Sequence, residues 1–118
     1  MIVGTGTDIT EVNRLRRAVA RWGDVFLNRV FTKEELKNAK TRGSLHQHLA
    51  GRFAAKEAIF KALGNPELSW QDVQILNDKQ GRPVCQILNG MGPNIEVHLS
   101  ISHVKDYATA SAIVTKKT

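Results

Sequence analysis

Along the chain the spacing of apolar residues switches between two periods. Ile2-Val3 ahead of Gly4-Thr5-Gly6 predicts a short strand, and Thr10 or Asp8 stands where a helix N-cap is needed. Val12, Leu15, Val19 and Trp22 then recur at helical spacing, one buried stripe that Gly23 ends. Thr32 followed three residues later by Glu35 is a capping-box pattern, opening a short helix through Leu36 and Ala39. After Gly43-Ser44 comes the strongest helical stretch, Leu45 to Leu63, rich in Ala, Leu, Lys and Glu and halted by Gly64-Asn65-Pro66.

Beyond Trp70 the period falls to two. Val73 and Ile75 alternate with polar neighbours, and the turn Asn77-Asp78-Lys79-Gln80-Gly81 leads into a second strand, Val84 to Leu88, so the pair predicts a hairpin. Gly90-Met91-Gly92-Pro93-Asn94 makes the next connection. In the strand that follows, Ile95, Val97, Leu99 and Ile101 face one side, with Glu96, His98, Ser100 and Ser102 on the other. A last strand, about Ala108 to Val114, carries alanine at alternate positions, a small-residue face that a helix can approach closely. N-terminal helices packed on an antiparallel β-meander place the chain in the α+β class. With no internal repeat, low-complexity tract or linker, residues 1–118 are expected to form a single domain.

Composition narrows the partners more than the fold. Aromatic residues are only 6% of the 118, so the core must be built from aliphatic side chains and alanine. A net charge of +6 admits nucleic acid, anionic lipid, phosphorylated small molecules or an acidic protein. The single cysteine, Cys85, excludes an intrachain disulfide framework and fits a reducing compartment. No export signal is visible at the N-terminus, and charges interrupt every apolar run before it reaches membrane-spanning length, so a cytoplasmic location is expected.

Chemistry concentrates in the long helix. At about 100° per residue, Phe53, Glu57, Phe60, Lys61 and Gly64 share a face, with Arg52, Lys56 and Ile59 on an adjacent strip. Glu57 and Lys61 fit an exposed salt bridge, yet the two phenylalanines beside them suit a cleft. Asp8 fits an N-cap or a magnesium ligand, since magnesium is typically held by one or two carboxylates plus phosphate oxygens and Asp8 with Glu57 would suffice. Arg14, Arg17 and Arg21 form a basic stripe suited to solvent, to an acidic helix or to a phosphate backbone. His46 and His48 are two apart, a spacing that sends helical side chains apart and disfavours a metal pair. Ser100-Ile101-Ser102-His103 ends a strand with three hydrogen-bonding side chains, a place for a cap or a ligand.

Taken in order, five blocks resemble the holo-acyl carrier protein synthase family, the small 4'-phosphopantetheinyl transferases. They are Gly6-Thr7-Asp8 with Arg14 downstream, Phe31-Thr32 followed by Glu35, Arg52 to Gly64 around Ala-Ala-Lys-Glu-Ala, Asn77-Asp78 followed by Gly81-Arg82-Pro83, and Ser100-Ile101-Ser102-His103 followed by Tyr107-Ala108-Thr109-Ala110. The resemblance implies transfer of the phosphopantetheine arm of coenzyme A to a serine of apo-acyl carrier protein. It implies Asp8 and Glu57 as magnesium ligands, Glu57 and Lys61 as catalytic residues with Lys61 beside the pyrophosphate, and either a metal-bound water or Glu57 as the base. Arg52, Lys61, Gly64, Pro83 and His103 are the implied coenzyme A contacts, and Arg14, Arg17 and Arg21 the implied contacts to the carrier's acidic helix. A homotrimer with sites between subunits is implied as well, without nucleic acid or membrane as partner. Two rivals remain: a nucleic-acid-binding module using the arginine stripe, and a catalytically dead relative that only binds carrier protein. The chain departs from the family after Gly64, where Asn65-Pro66-Glu67 replaces the usual threonine-glycine pair near the coenzyme and brings a carboxylate that would repel its phosphates.

Overall fold

Gly4 and Gly6, expected to break the first strand, lie inside it. The computed structural model describes residues 1–41, 43–88, 90 and 94–117. In it β1 runs Ile2–Glu11 and is followed by α1 (Val12–Trp22), α2 (Asp24–Val30), α3 (Lys33–Ala39) and α4 (Leu45–Leu63). A single 3-10 turn (Trp70–Asp72) then leads into β2 (Val73–Asn77), β3 (Pro83–Ile87), β4 (Ile95–His103) and β5 (Tyr107–Lys116). Among the described residues the strands form a three-stranded antiparallel sheet in the order β1-β5-β4 and a separate β2-β3 hairpin. The α+β class is as expected; the sheet gains the N-terminal strand at one edge, and the hairpin stands apart. Of the Gly90 to Asn94 connection, Met91, Gly92 and Pro93 lie outside the described residues.

The strand-breaking expectation fails because it treats glycine as a local signal. Here its missing side chain is used for a tertiary contact: a Cβ on Gly4 would collide with the carbonyl oxygen of Ala62, and one on Gly6 with that of Ala58. The strand thus lies directly on the backbone of α4. On the same face of the sheet, Ala110, Ala112 and Val114 of the neighbouring β5 meet Ala54, Ala55, Ala58 and Ile59 in one buried cluster, so alanine faces on both elements set the close helix–sheet distance. Gly6→Ala is therefore expected to lower stability by about 1–3 kcal/mol, since the obstacle is backbone that cannot rotate away. Chemical denaturation checks this, and an unchanged midpoint would show that strand and helix are free to separate.

Helix ends follow local chemistry where that chemistry is self-contained. The Thr32–Glu35 capping box is present in full, and Gly64 ends α4 in the left-handed region at φ 62°. At α1, by contrast, the N-cap residue is Glu11 and no side chain caps the helix, so neither Asp8 nor Thr10 has the expected capping role. The Val12 N–H instead donates to the Asp106 carbonyl at 2.9 Å. Helix α2 was not anticipated. None of the helices among the described residues is long and apolar enough to cross a membrane.

Candidate functional site

Asp8 gains its position from the two glycines before it. Gly4, Gly6 and Asp8 fall on one face of β1, the face laid against α4, so the first carboxylate after the close-contact segment is carried to the helix surface. Its side chain is 17% exposed, and Lys61 Nζ lies 3.4 Å from Asp8 Oδ1. The same amine donates to the Thr7 carbonyl at 2.9 Å, and Thr10 Oγ1 donates to Asp8 Oδ2 at 3.1 Å. The ion partner of Lys61 is thus Asp8 rather than its helical neighbour Glu57.

Glu57 lies one turn before Lys61 on α4. Burial, reinforced by the nearby Asp8 carboxylate, raises its pKa above the ordinary carboxylate value, and Lys61 and Arg14 only partly oppose the shift. Two carboxylates therefore lie close together, and Glu57 is held there at an electrostatic cost. A hard divalent cation resolves that arrangement, and the donor set, two carboxylates beside an amine able to meet phosphate, is the set magnesium uses with phosphate ligands. Among the described residues no group of three or more His, Cys, Asp or Glu side chains comes together, so the candidate metal site is a carboxylate pair.

Both acids line a cleft of about 930 Å³. Its far wall is α1, which supplies Arg14, Arg17 and Arg21, all exposed, and its apolar lining includes Trp22, Phe26 and Phe53. The guanidinium of Arg21 lies 4.9 Å from the centroid of the Trp22 ring. The expected metal, catalytic and carrier residues thus meet at one cleft, with Lys61 joined to it through Asp8.

The expected coenzyme contacts do not all join them. Arg52, Pro83 and His103 line a second cavity of about 360 Å³ with Asn77, His48 and Gly51. Arg52 is buried and donates from Nη2 to Asn77 Oδ1, while Asn77 Nδ2 donates to the Gly81 carbonyl at 2.8 Å, tying α4 to the hairpin turn. Glu57 follows Arg52 by five positions, about 140° around the helix, so the two cavities open on different sides of α4. Gly64 caps α4 and lines neither. In the divergent loop after it the Glu67 N–H donates to Asn65 Oδ1 at 2.9 Å, a turn closed by its own side chain.

Sequence reasoning missed the most buried charges of the molecule. Lys56 and Glu35 are fully buried with Nζ 2.7 Å from Oε1. Lys56 also donates to the carbonyls of Val30 at 2.8 Å and Trp70 at 3.0 Å, and Glu35 accepts from the N–H groups of Thr32 and Ile75, each at 2.8 Å. Burial lowers the Lys56 pKa against the pull of Glu35. The available signal was a lysine set among Ala54, Ala55, Ala58 and Ile59, all on the core side of the helix. Burial with the Glu35 charge nearby pushes the Cys85 thiol up to about 12. At pH 8 its thiolate is then roughly one part in ten thousand, so iodoacetamide should label Cys85 only after denaturation; rapid labelling of the native protein would contradict that environment.

Comparison with known proteins identifies the family and the fold. The family model described as the 4'-phosphopantetheinyl transferase superfamily matches residues 4–112. A holo-[acyl-carrier-protein] synthase of Protochlamydia amoebophila is 44% identical over 119 residues, covering 96% of this chain and 98% of the relative. A crystal structure of a holo-(acyl-carrier-protein) synthase from Bacillus anthracis in complex with CoA (3',5'-ADP) superposes with a TM-score of 0.85 at 38% identity, covering 100% of this chain and 99% of that one. The holo-[acyl-carrier-protein] synthase of Neisseria meningitidis gives a TM-score of 0.87 at 33% identity, with 98% and 100% covered.

Proposed function

The chain belongs to the 4'-phosphopantetheinyl transferase superfamily, and on that premise we propose that it is a holo-[acyl-carrier-protein] synthase: it moves the phosphopantetheine arm of coenzyme A onto a serine hydroxyl of apo-acyl carrier protein, releasing adenosine 3',5'-bisphosphate. The convergence of Asp8, Glu57 and Lys61 at a cleft walled by three arginines carries the proposal. Asp8 and Glu57 would hold Mg2+, which when bound polarises the diphosphate as a Lewis acid. Lys61, steadied by the Thr7 carbonyl, presents a point cation to the same phosphates. Arg14, Arg17 and Arg21 orient an acidic carrier helix, an encounter that should be fast and should weaken with salt.

The separation of the two cavities supports a homotrimer in which one subunit's Arg52, Pro83 and His103 face a neighbour's carboxylates, so that one coenzyme A molecule spans both. The outer face of the β1-β5-β4 sheet suits such contact. It presents a row of small hydroxyls, Thr7, Ser111 and Ser100, in register, beside exposed Ile9 and Ile113. A fatty-acid-synthesis role in the cytoplasm fits this activity. Mass spectrometry of apo-acyl carrier protein incubated with the protein, coenzyme A and Mg2+ tests the function. The serine should gain the arm, and the gain should vanish with a chelator; an unmodified carrier would reject the reading in favour of a binding-only relative.

A further inference from the structure

Two aromatic side chains frame Glu57 on α4, Phe53 one turn before it and Phe60 one turn after, and both rest on a single ring from the turn beyond the helix. Trp70 stacks on Phe53 with ring centroids 5.1 Å apart and meets Phe60 edge-on at 4.8 Å. The Trp70 turn is itself hydrogen-bonded to two helices. The Trp70 carbonyl accepts from the buried Lys56 amine, and the adjacent Gln71 side chain donates to the carbonyls of Asn28 at 2.8 Å and Phe31 at 2.9 Å, at the end of α2. That helix in turn supplies Phe26 to the cleft that Phe53 and Glu57 line.

A glutamate on an exposed helix face samples several rotamers, and binding a cation in one of them costs that freedom. Here the side chains at i−4 and i+3, which flank Glu57 along one side of the helix, both pack on the same indole. We propose that Trp70 is a positioning residue which, by bracing Phe53 and Phe60, holds the Glu57 carboxylate where it and Asp8 can bind one divalent cation. The inference rests on the carboxylate-pair reading given above and adds to it a residue that touches neither metal nor substrate. Groups supporting metal ligands in this way typically change affinity by about 10–100-fold when removed.

Mn2+ binding to the purified full-length chain, read by electron paramagnetic resonance of free Mn2+ without substrates, tests it alongside transfer kinetics and thermal melting. Trp70→Leu should weaken Mn2+ binding about tenfold and lower kcat, with KM for coenzyme A nearly unchanged, and Trp70→Phe should restore both. A purely structural role would lower the melting temperature and leave the Mn2+ affinity of the folded protein intact, and that result would overturn the proposal. Phe60→Leu, which removes one flanking ring and leaves the turn in place, is read in the same way if Trp70→Leu does not fold. Glu57→Gln separates the two levels. If it loses Mn2+ binding while folded Trp70→Leu keeps it, the Trp70 role alone fails; if Glu57→Gln binds Mn2+ as tightly as the unchanged chain, the carboxylate pair fails and this inference falls with it.

Discussion

Glu57→Gln should abolish phosphopantetheine transfer while making the protein more resistant to heat. Loss of activity follows from removing one of two anionic metal ligands, and a drop of about 10²-fold or more in rate at fixed Mg2+ is expected. The gain in stability follows from the electrostatics of the carboxylate pair. Folding buries Glu57 and places Asp8 beside it, so its pKa rises above the ordinary 4.5. A carboxyl whose pKa rises on folding stabilises the native state fully below its unfolded pKa, and that contribution is lost as pH climbs through the folded value. At neutral pH the ionised Glu57 is thus a net cost, which glutamine removes. Mg2+ should offset the same cost in the unchanged chain, raising its melting temperature by mass action, and should have little effect on the variant. Asp8→Ala should also abolish transfer, but without the added stability, because it breaks the ion pair with Lys61. Scanning calorimetry with and without Mg2+, beside a carrier-modification assay, checks these outcomes. Full activity in both variants would reject the site.

What could be read from the sequence divides along the range of the forces involved. Helix α4 has the expected ends because the stop at Gly64 is a local fact and the Ala, Leu, Lys and Glu residues around Gly51 carry the helix through that glycine, and the Thr32–Glu35 box is complete within four residues. The β2-β3 hairpin was legible for the same reason, although its second strand begins at Pro83 rather than Val84. Strand β1 was read too short because its glycines answer to Ala58 and Ala62, more than fifty residues away. Helix α2 is short and lacks a side-chain cap at its N-terminus; the carbonyls at its far end are satisfied by Gln71, which no window of local sequence contains. At the site, the resemblance implies a grouping of Asp8, Glu57 and Lys61, and the structure has the three near one another. The resemblance did not reveal that Arg52, Pro83 and His103 occupy another cavity of the same chain, since that division depends on how the hairpin turn and the end of β4 pack against α4.

Glu35→Ala should be among the most destabilising single substitutions in this protein. Glu35 joins three elements at once: its oxygens accept from Thr32 at the start of α3, from the backbone of Ile75 in β2, and from the amine of Lys56 in α4. Removing the carboxylate leaves an ammonium ion with no counter-charge at 0% exposure and orphans a strand N–H. Breaking one side of a buried pair costs about 3–5 kcal/mol, a large share of the roughly 5–15 kcal/mol that holds a domain of this size together. Lys56→Met should cost less, because the remaining carboxylate still accepts two backbone N–H groups and the methionine fills the space of the lysine stem. The double variant Glu35→Gln with Lys56→Met should recover most of the loss, since no charge stays buried and the amide can still accept one backbone bond. A urea-denaturation double-mutant cycle over Glu35→Gln, Lys56→Met and the double variant measures this coupling. Strictly additive effects, or a cost below about 1 kcal/mol for Glu35→Ala, would show that the pair does not join the hairpin to α4 and that Trp70, whose carbonyl shares the Lys56 amine, is held by its ring contacts alone.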